Sequence, residues 1–252
     1  MGGELPTLKG ALATARPIRY GSFAEASTGH WSLLEELASR PGVRKVCEVG
    51  GGATPALPTE FVRARSIEYT VLDLSATELA KAPDVYRKVQ GDITSGELRL
   101  EGGFDLIFSR MLAEHVWLPA DFHRSVYRLL TPGGRAFHFF STLYALPFLA
   151  NRLLPPGVAD RIVRWLWPGR DPEGGEAKFP AFYRWCRGPT RASIRRLEDV
   201  GFIVEEYAGF FGHEYYRGVP WIHRAHRALS DALTRKPMPL LTSYAHVILM
   251  RP

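Results

Sequence analysis

Three groups of residues stand where one ligand could meet them all. Val46-Cys47-Glu48-Val49 reads as a buried strand and runs directly into Gly50-Gly51-Gly52. Glycines at a strand end let backbone approach a bound molecule closely, and they present amide donors at the next helix. Asp73 closes the following apolar segment about twenty residues on, where a carboxylate can accept both hydroxyls of a ribose. A third segment ends in Gln90-Gly91-Asp92-Ile93, and Asp92 there can accept from an adenine amino group. A backbone cradle followed by two carboxylates suits an adenosine-bearing ligand.

Dinucleotide oxidoreductases also join Gly-x-Gly-x-x-Gly to a later acidic residue. Here Gly50 and Gly52 are present, but Pro55 holds the third-glycine position. Proline there hinders the close helix–strand packing that the glycine permits. Glu48 and the Gly91-Asp92 pair have no part in that fingerprint, so hydride transfer falls behind. A buried carboxylate is costly unless paired. Glu48 is therefore expected to contact the ligand, directly or by holding amides of the glycine loop.

The elements that must position these groups follow from apolar spacing. Residues 1–28 lack a sustained period and predict a flexible arm ahead of a single domain, 29–252. Trp31–Arg40 has helical spacing, with Ser32 and Glu35 as a capping box. Strand-like runs follow at Val43–Val49, Ser66–Leu72, Val85–Gln90 and Phe104–Ser109. The helix Asp121–Leu130 stops at Thr131-Pro132-Gly133-Gly134 before a strand at Arg135–Phe140. A helix at Thr190–Val200, capped by Thr190, precedes strands at Phe202–Tyr207 and Ser243–Met250. Strands alternating with helices, without polar alternation, imply an α/β fold: a doubly wound, mostly parallel sheet covered on both faces. Two insertions, about 143–189 and 208–242, break the alternation. Both are rich in aromatics, among them Phe148, Trp165, Trp167, Phe179, Phe182, Phe210, Phe211 and Tyr216, as helical lids over a pocket would be.

The totals agree with one globular domain. The chain has 252 residues, 46% of them hydrophobic, and a net charge of +6 that is spread without a block of like charge. That pattern reads as a solvated basic face. Cys47 and Cys186 make neither a disulfide framework nor a metal knuckle. The apolar run Leu143–Leu154 is too short to span a bilayer. The N-terminus lacks an apolar signal region, so a cytoplasmic location is expected.

Glu48-x-Gly50-x-Gly52 resembles motif I of the class I S-adenosylmethionine-dependent methyltransferases. Asp73 matches that family's ribose-binding acid, and Asp92-Ile93 the pair framing its adenine. Phe104-Asp105-Leu106-Ile107-Phe108-Ser109 is similar to its fourth strand, Leu130-Thr131-Pro132-Gly133-Gly134 to its turn into strand five, and Leu197-Glu198-Asp199-Val200-Gly201-Phe202 to its entry to strand six. The resemblance covers roughly residues 30–142 and 190–250. It implies a seven-stranded sheet with strand seven antiparallel, S-adenosylmethionine as cofactor, S-adenosylhomocysteine as product, and contacts from Gly51, Leu74, Ser109 and Arg110 as well. Pro55 and Pro58 depart from the family pattern and predict a short or displaced first helix.

Methyl transfer from a sulfonium is an in-line displacement, so the protein mainly aligns the nucleophile and excludes water. A base is needed only if the nucleophile arrives protonated. His115, with Glu114 beside it, is the candidate, because the loop after the fourth strand opens towards the methyl group in this family. His138, inside a strand, reads as a core histidine. Tyr183 and Arg184, with His213 and Tyr215 in the last insertion, are candidate acceptor contacts. No His/Cys/carboxylate spacing suggests a metal. Nucleic-acid acceptors are disfavoured, because Arg110-Met111-Leu112 replaces both the Pro-Pro-aromatic turn and the catalytic cysteine loop of the nucleic-acid enzymes. The leading expectation is a small-molecule acceptor methylated on O or N, by a monomer or homodimer. The alternatives are a lipid or lipid-linked sugar met through Arg161, Arg164, Trp165, Trp167 and Arg170 at a membrane surface, and a non-catalytic cofactor-binding protein.

Overall fold

The computed structural model describes residues 18–143 and 180–252. In chain order the elements are β1 (Ile18–Ser22), α1 (Phe23–Ala38), β2 (Lys45–Val49), α2 (Thr59–Ala64), β3 (Glu68–Asp73), α3 (Ala76–Lys81), β4 (Arg87–Gln90) and β5 (Phe104–Arg110). A 3-10 turn at Ala113–His115, α4 (Pro119–Leu129) and β6 (Leu130–Ser141) follow. Beyond Pro180 come α5 (Arg191–Glu198), β7 (Ile203–Phe211), α6 (Pro220–Arg235) and β8 (Tyr244–Met250).

The strands form one sheet in the order β1-β7-β8-β6-β5-β2-β3-β4. Only β8 runs antiparallel, against both β6 and β7. This is the expected doubly wound sheet with one strand added. β1 extends it to eight strands, pairing parallel with β7 from Ile18 opposite Tyr207 to Ser22 opposite Phe211. Its sequence, Ile-Arg-Tyr-Gly-Ser, has no apolar run, and its stability comes from the neighbour instead. Tyr20 stacks on Phe211 at 5.8 Å, and Arg19 pairs with Glu206 at 3.2 Å. The central strands are buried on both faces, with Val46, Cys47, Ile107, Phe108 and Phe137 fully inaccessible. Each such large side chain is worth about 2 kcal/mol of burial.

Three sequence expectations are corrected. Residues 18–28, assigned to the arm, form β1 and the first turns of α1. The capping box is Ser22 with Glu25, not Ser32 with Glu35, which lie within the helix. The reason is His30: the buried face is Ala26, His30, Leu34 and Leu37, and a histidine there hides the apolar period upstream of Trp31. Its ring is accommodated by stacking on Phe139 at 4.3 Å. Finally, β7 runs four residues past its expected end, because β1 and β8 pair with it on both sides. Phe210 and Phe211 are therefore core residues and not lid aromatics. The proline-containing segment after the glycines does delay the first helix: α2 begins at Thr59 and has six residues. Expectations for Phe148, Trp165, Trp167, Phe179 and the Arg161–Arg170 cluster lie outside the described residues.

Candidate active site

The strand order reverses at β2, with β3 on one side and β5 on the other. Open α/β sheets bind ligands at the carboxyl ends of the strands flanking such a switch point. The glycine loop leaves β2 here. Gly50 has φ +78° and donates its amide to Leu72 O at 2.7 Å. A side chain at Gly51 would lie 2.8 Å from Glu48 Cδ and 2.9 Å from Val71 Cγ1, so close approach alone demands glycine.

Glu48 is buried and its Oε2 accepts from Ala56 N at 2.8 Å and from the Tyr69 hydroxyl at 2.5 Å. Burial pushes its carboxyl pKa up, while the Tyr69 bond, the Ala56 amide and the Arg110 cation oppose that rise. The carboxylate therefore bonds the Ala56 amide of the segment beyond the glycines, and not an amide of the glycines themselves. Tyr69 was missed in the sequence. It precedes Asp73 by two pleats on the same strand face, which is the signal that would have found it.

Asp73 links the strand end to the loop. Its Oδ2 accepts from Gly52 N at 3.0 Å and its Oδ1 from Ser75 N at 2.9 Å. Each carboxylate oxygen has a second acceptor site for a ligand hydroxyl. Leu74, beside it, is 65% exposed, an apolar surface at the strand end. Asp92 Oδ1 holds Thr94 through both its amide and its hydroxyl at 2.7 Å, and Ile93 is buried beneath.

The loop after β5 sorts the remaining candidates. Ser109 is fully buried and its hydroxyl meets His138 Nδ1 at 2.8 Å, so this side chain faces the core. Arg110 instead lies over the Trp31 ring at 3.9 Å, and its buried Nε has no hydrogen-bond partner. Met111 then takes φ +49°, a left-handed conformation that an L side chain adopts only when its surroundings impose it. Glu114 and His115 each have hydrogen-bond partners of their own, and the His115 charge opposes the rise in the Glu114 pKa. The buried Glu114 Oε1 accepts from Ser141 Oγ at 2.8 Å, its Oε2 has no hydrogen-bond partner, and burial raises its pKa. His115 Nδ1 meets Pro180 O at 3.1 Å. A carbonyl only accepts, so Nδ1 carries a proton and donates to it.

The segment after Pro180 is strapped to this loop: Phe182 N and Tyr183 N both donate to Glu114 O, at 2.7 and 3.0 Å. Tyr183 is buried with φ +51°. Arg184 points outward, stacked over the exposed Trp117 at 3.6 Å. His213 is buried, stacked on His226 at 4.0 Å, and its Nδ1 accepts from Tyr215 N. Thus Tyr183 joins Glu114 and His115, whereas Arg184 lies on the outer surface and His213 packs beneath α6. Among the described residues no group of three His, Cys, Asp or Glu side chains could hold a metal ion.

Residues 47–138, from β2 to β6, match the family model of the methyltransferase domain. One curated relative is the polyketide synthase–nonribosomal peptide synthetase of Phaeosphaeria nodorum. It is 31% identical over 111 residues, which are 39% of this chain and 3% of that much longer protein. Among solved structures, phosphoethanolamine N-methyltransferase 2 of Haemonchus contortus, in complex with S-adenosylmethionine, aligns with a TM-score of 0.55 at 12% identity. The alignment covers 89% of this chain and 52% of that one, so the chain spans about half its length. Geranyl diphosphate C-methyltransferase of Streptomyces coelicolor aligns with a TM-score of 0.56 at 12% identity, covering 90% of this chain and 79% of that one. The segment from β2 to β6 thus matches a methyltransferase domain, and the chain shares the fold of these solved methyltransferases.

Proposed function

We propose that this protein transfers the methyl group of S-adenosylmethionine to an O or N nucleophile of a small-molecule acceptor. The observation that carries the reading is Asp73: a carboxylate at the end of β3, already tied to Gly52, with one acceptor site left on each oxygen. The residues present fit the cofactor. Asp73 would take the ribose hydroxyls, Leu74 and Ile93 the faces of the adenine, and Asp92 its amino group. The Gly50–Gly52 backbone would follow the methionine portion, with Glu48 and Tyr69 holding the loop's shape. The orphaned, buried Nε of Arg110 gives that end a cation for the carboxylate. When bound, S-adenosylmethionine supplies an electrophilic methyl on a good leaving group.

His115 would take the proton of the acceptor on Nε2, because Pro180 O keeps the proton on Nδ1. Glu114 bonds Ser141 and accepts from the strapped segment after Pro180, which together hold the turn that carries His115. The small-molecule acceptor draws support from the domain match within a polyketide synthase–nonribosomal peptide synthetase and from structural neighbours that act on geranyl diphosphate and phosphoethanolamine.

The first test is calorimetric titration with S-adenosylhomocysteine, with NAD as control. Binding of the first alone is expected, and Asp73→Ala should weaken it by about two orders of magnitude, the loss of two hydrogen bonds to a charged acceptor. Unchanged affinity would remove Asp73 from the ribose. His115→Ala should lower turnover on an accepted substrate by about 100-fold or more while cofactor affinity holds. Turnover surviving across pH would end the base assignment.

A further inference from the structure

Helix α6 is held along one side and leaves two others to solvent. Its half-buried side, with His226 and Ser230, meets His213 and Gly212 at the end of β7, and none of its residues is buried. Around the helix, Trp221, Ala225, Ala228, Leu229 and Ala232 recur at i, i+4, i+7, i+8 and i+11 and form one exposed apolar stripe. Trp221 is 67% and Leu229 52% exposed. Arg224, Arg227 and Arg235 line the adjoining edge, with Asp231 as the helix's one acid. Past the helix end, Lys236 and the exposed Met238, Leu240 and Leu241 continue the same mixture of cation and apolar surface.

We propose that this face docks on an anionic lipid bilayer, with Trp221 and Leu229 entering the headgroup–acyl boundary and the arginines meeting lipid phosphates. A tryptophan and a leucine on an apolar stripe, flanked by arginine, is the composition of a helix lying in an interface. Charge selects this partner over a second copy of the chain. An antiparallel two-fold packing of the stripe on itself would bring the two arginine edges together. Among the described residues no helix is long and apolar enough to cross a membrane. The inference goes beyond the acceptor reading and does not depend on it.

The test is co-sedimentation of the full chain with phosphatidylcholine vesicles, with and without phosphatidylglycerol, at two salt concentrations. Binding that requires phosphatidylglycerol and weakens with salt is expected. Leu229→Ser, and Arg224→Glu with Arg227→Glu, should each cut the bound fraction about tenfold. Both sites are exposed, and S-adenosylhomocysteine affinity, measured in parallel, should stay at the wild-type value. Equal binding to neutral vesicles, or indifference to Leu229→Ser, overturns the proposal; the latter with arginine dependence intact would indicate a nucleic-acid-like polyanion. A dimer broken by Trp221→Ser, without vesicle binding, overturns it in favour of a second copy. If vesicles bind while no protein takes S-adenosylhomocysteine, the cofactor reading fails alone.

Discussion

At the scale of single residues, the protein has buried imidazoles whose burial sets its response to acid. Desolvation pulls the His123 pKa down to about 3, and that of His213 to about 3 with the nearby His226 and His223 adding to the effect. Both stay neutral when folded but take a proton near 6.5 once unfolded. Their contribution to stability is therefore present above pH 6.5 and lost as pH falls towards 3. For His123 alone this is about 2 kcal/mol at pH 5. Urea denaturation at pH 7 and pH 5 should show His123→Leu losing that much less than wild type between the two. Glu206 and His246 pull in opposite senses across a 2.5 Å contact. The carboxyl is held at about 2 chiefly by the His246 bond, while burial lowers the His246 pKa. The consistent state is a neutral imidazole donating to a carboxylate that Arg19 also holds, because His246 is far more buried than its partner. Gly51→Ala places a methyl group on Glu48 and Val71 and should cost about 1–3 kcal/mol and loosen cofactor binding together. A change in one without the other would separate fold from site. The placement of Glu48, Asp73 and Asp92 at or just past the carboxyl ends of neighbouring strands was legible, because each ends or follows a strand-like run. Tyr69 and Ser141 were not, because a tyrosine in a strand and a serine at its end are common until a carboxylate is seen beside them.

At the scale of elements, the sequence was clearest where termination chemistry is local. Thr190 was readable as the cap of α5, and its hydroxyl accepts from Ser193 N at 3.1 Å. Thr190→Ala should lower stability by about 1 kcal/mol in denaturant titration, with cofactor affinity unchanged. The start of α1 was illegible for the opposite reason. His30 earns its buried place only from Phe139, a partner more than a hundred residues away, and no local period can show that. The two prolines after the glycines were a fair guide to α2, since they deny the chain a helix until Thr59.

At the scale of the molecule, the order of the central strands could be anticipated from the resemblance, but the edge could not. β1 covers β7, whose residues from Tyr207 to Phe211 would otherwise form an open sheet edge. Deleting residues through Ser22 should lower the melting temperature and promote aggregation, since an uncovered strand edge recruits other chains. An unchanged melting curve would show that β7 is stable on β8 alone. The strap beyond Pro180 was equally hidden, because backbone amides leave no trace in residue type. It joins the turn carrying His115 at three bonds, through Pro180 O and twice through Glu114 O. The strap and the turn that carries the proposed base are therefore held as one structural unit. Replacing residues 180–183 alone should disturb the turn that carries His115, whereas exchanging them together with Ala113–His115 should preserve these three bonds.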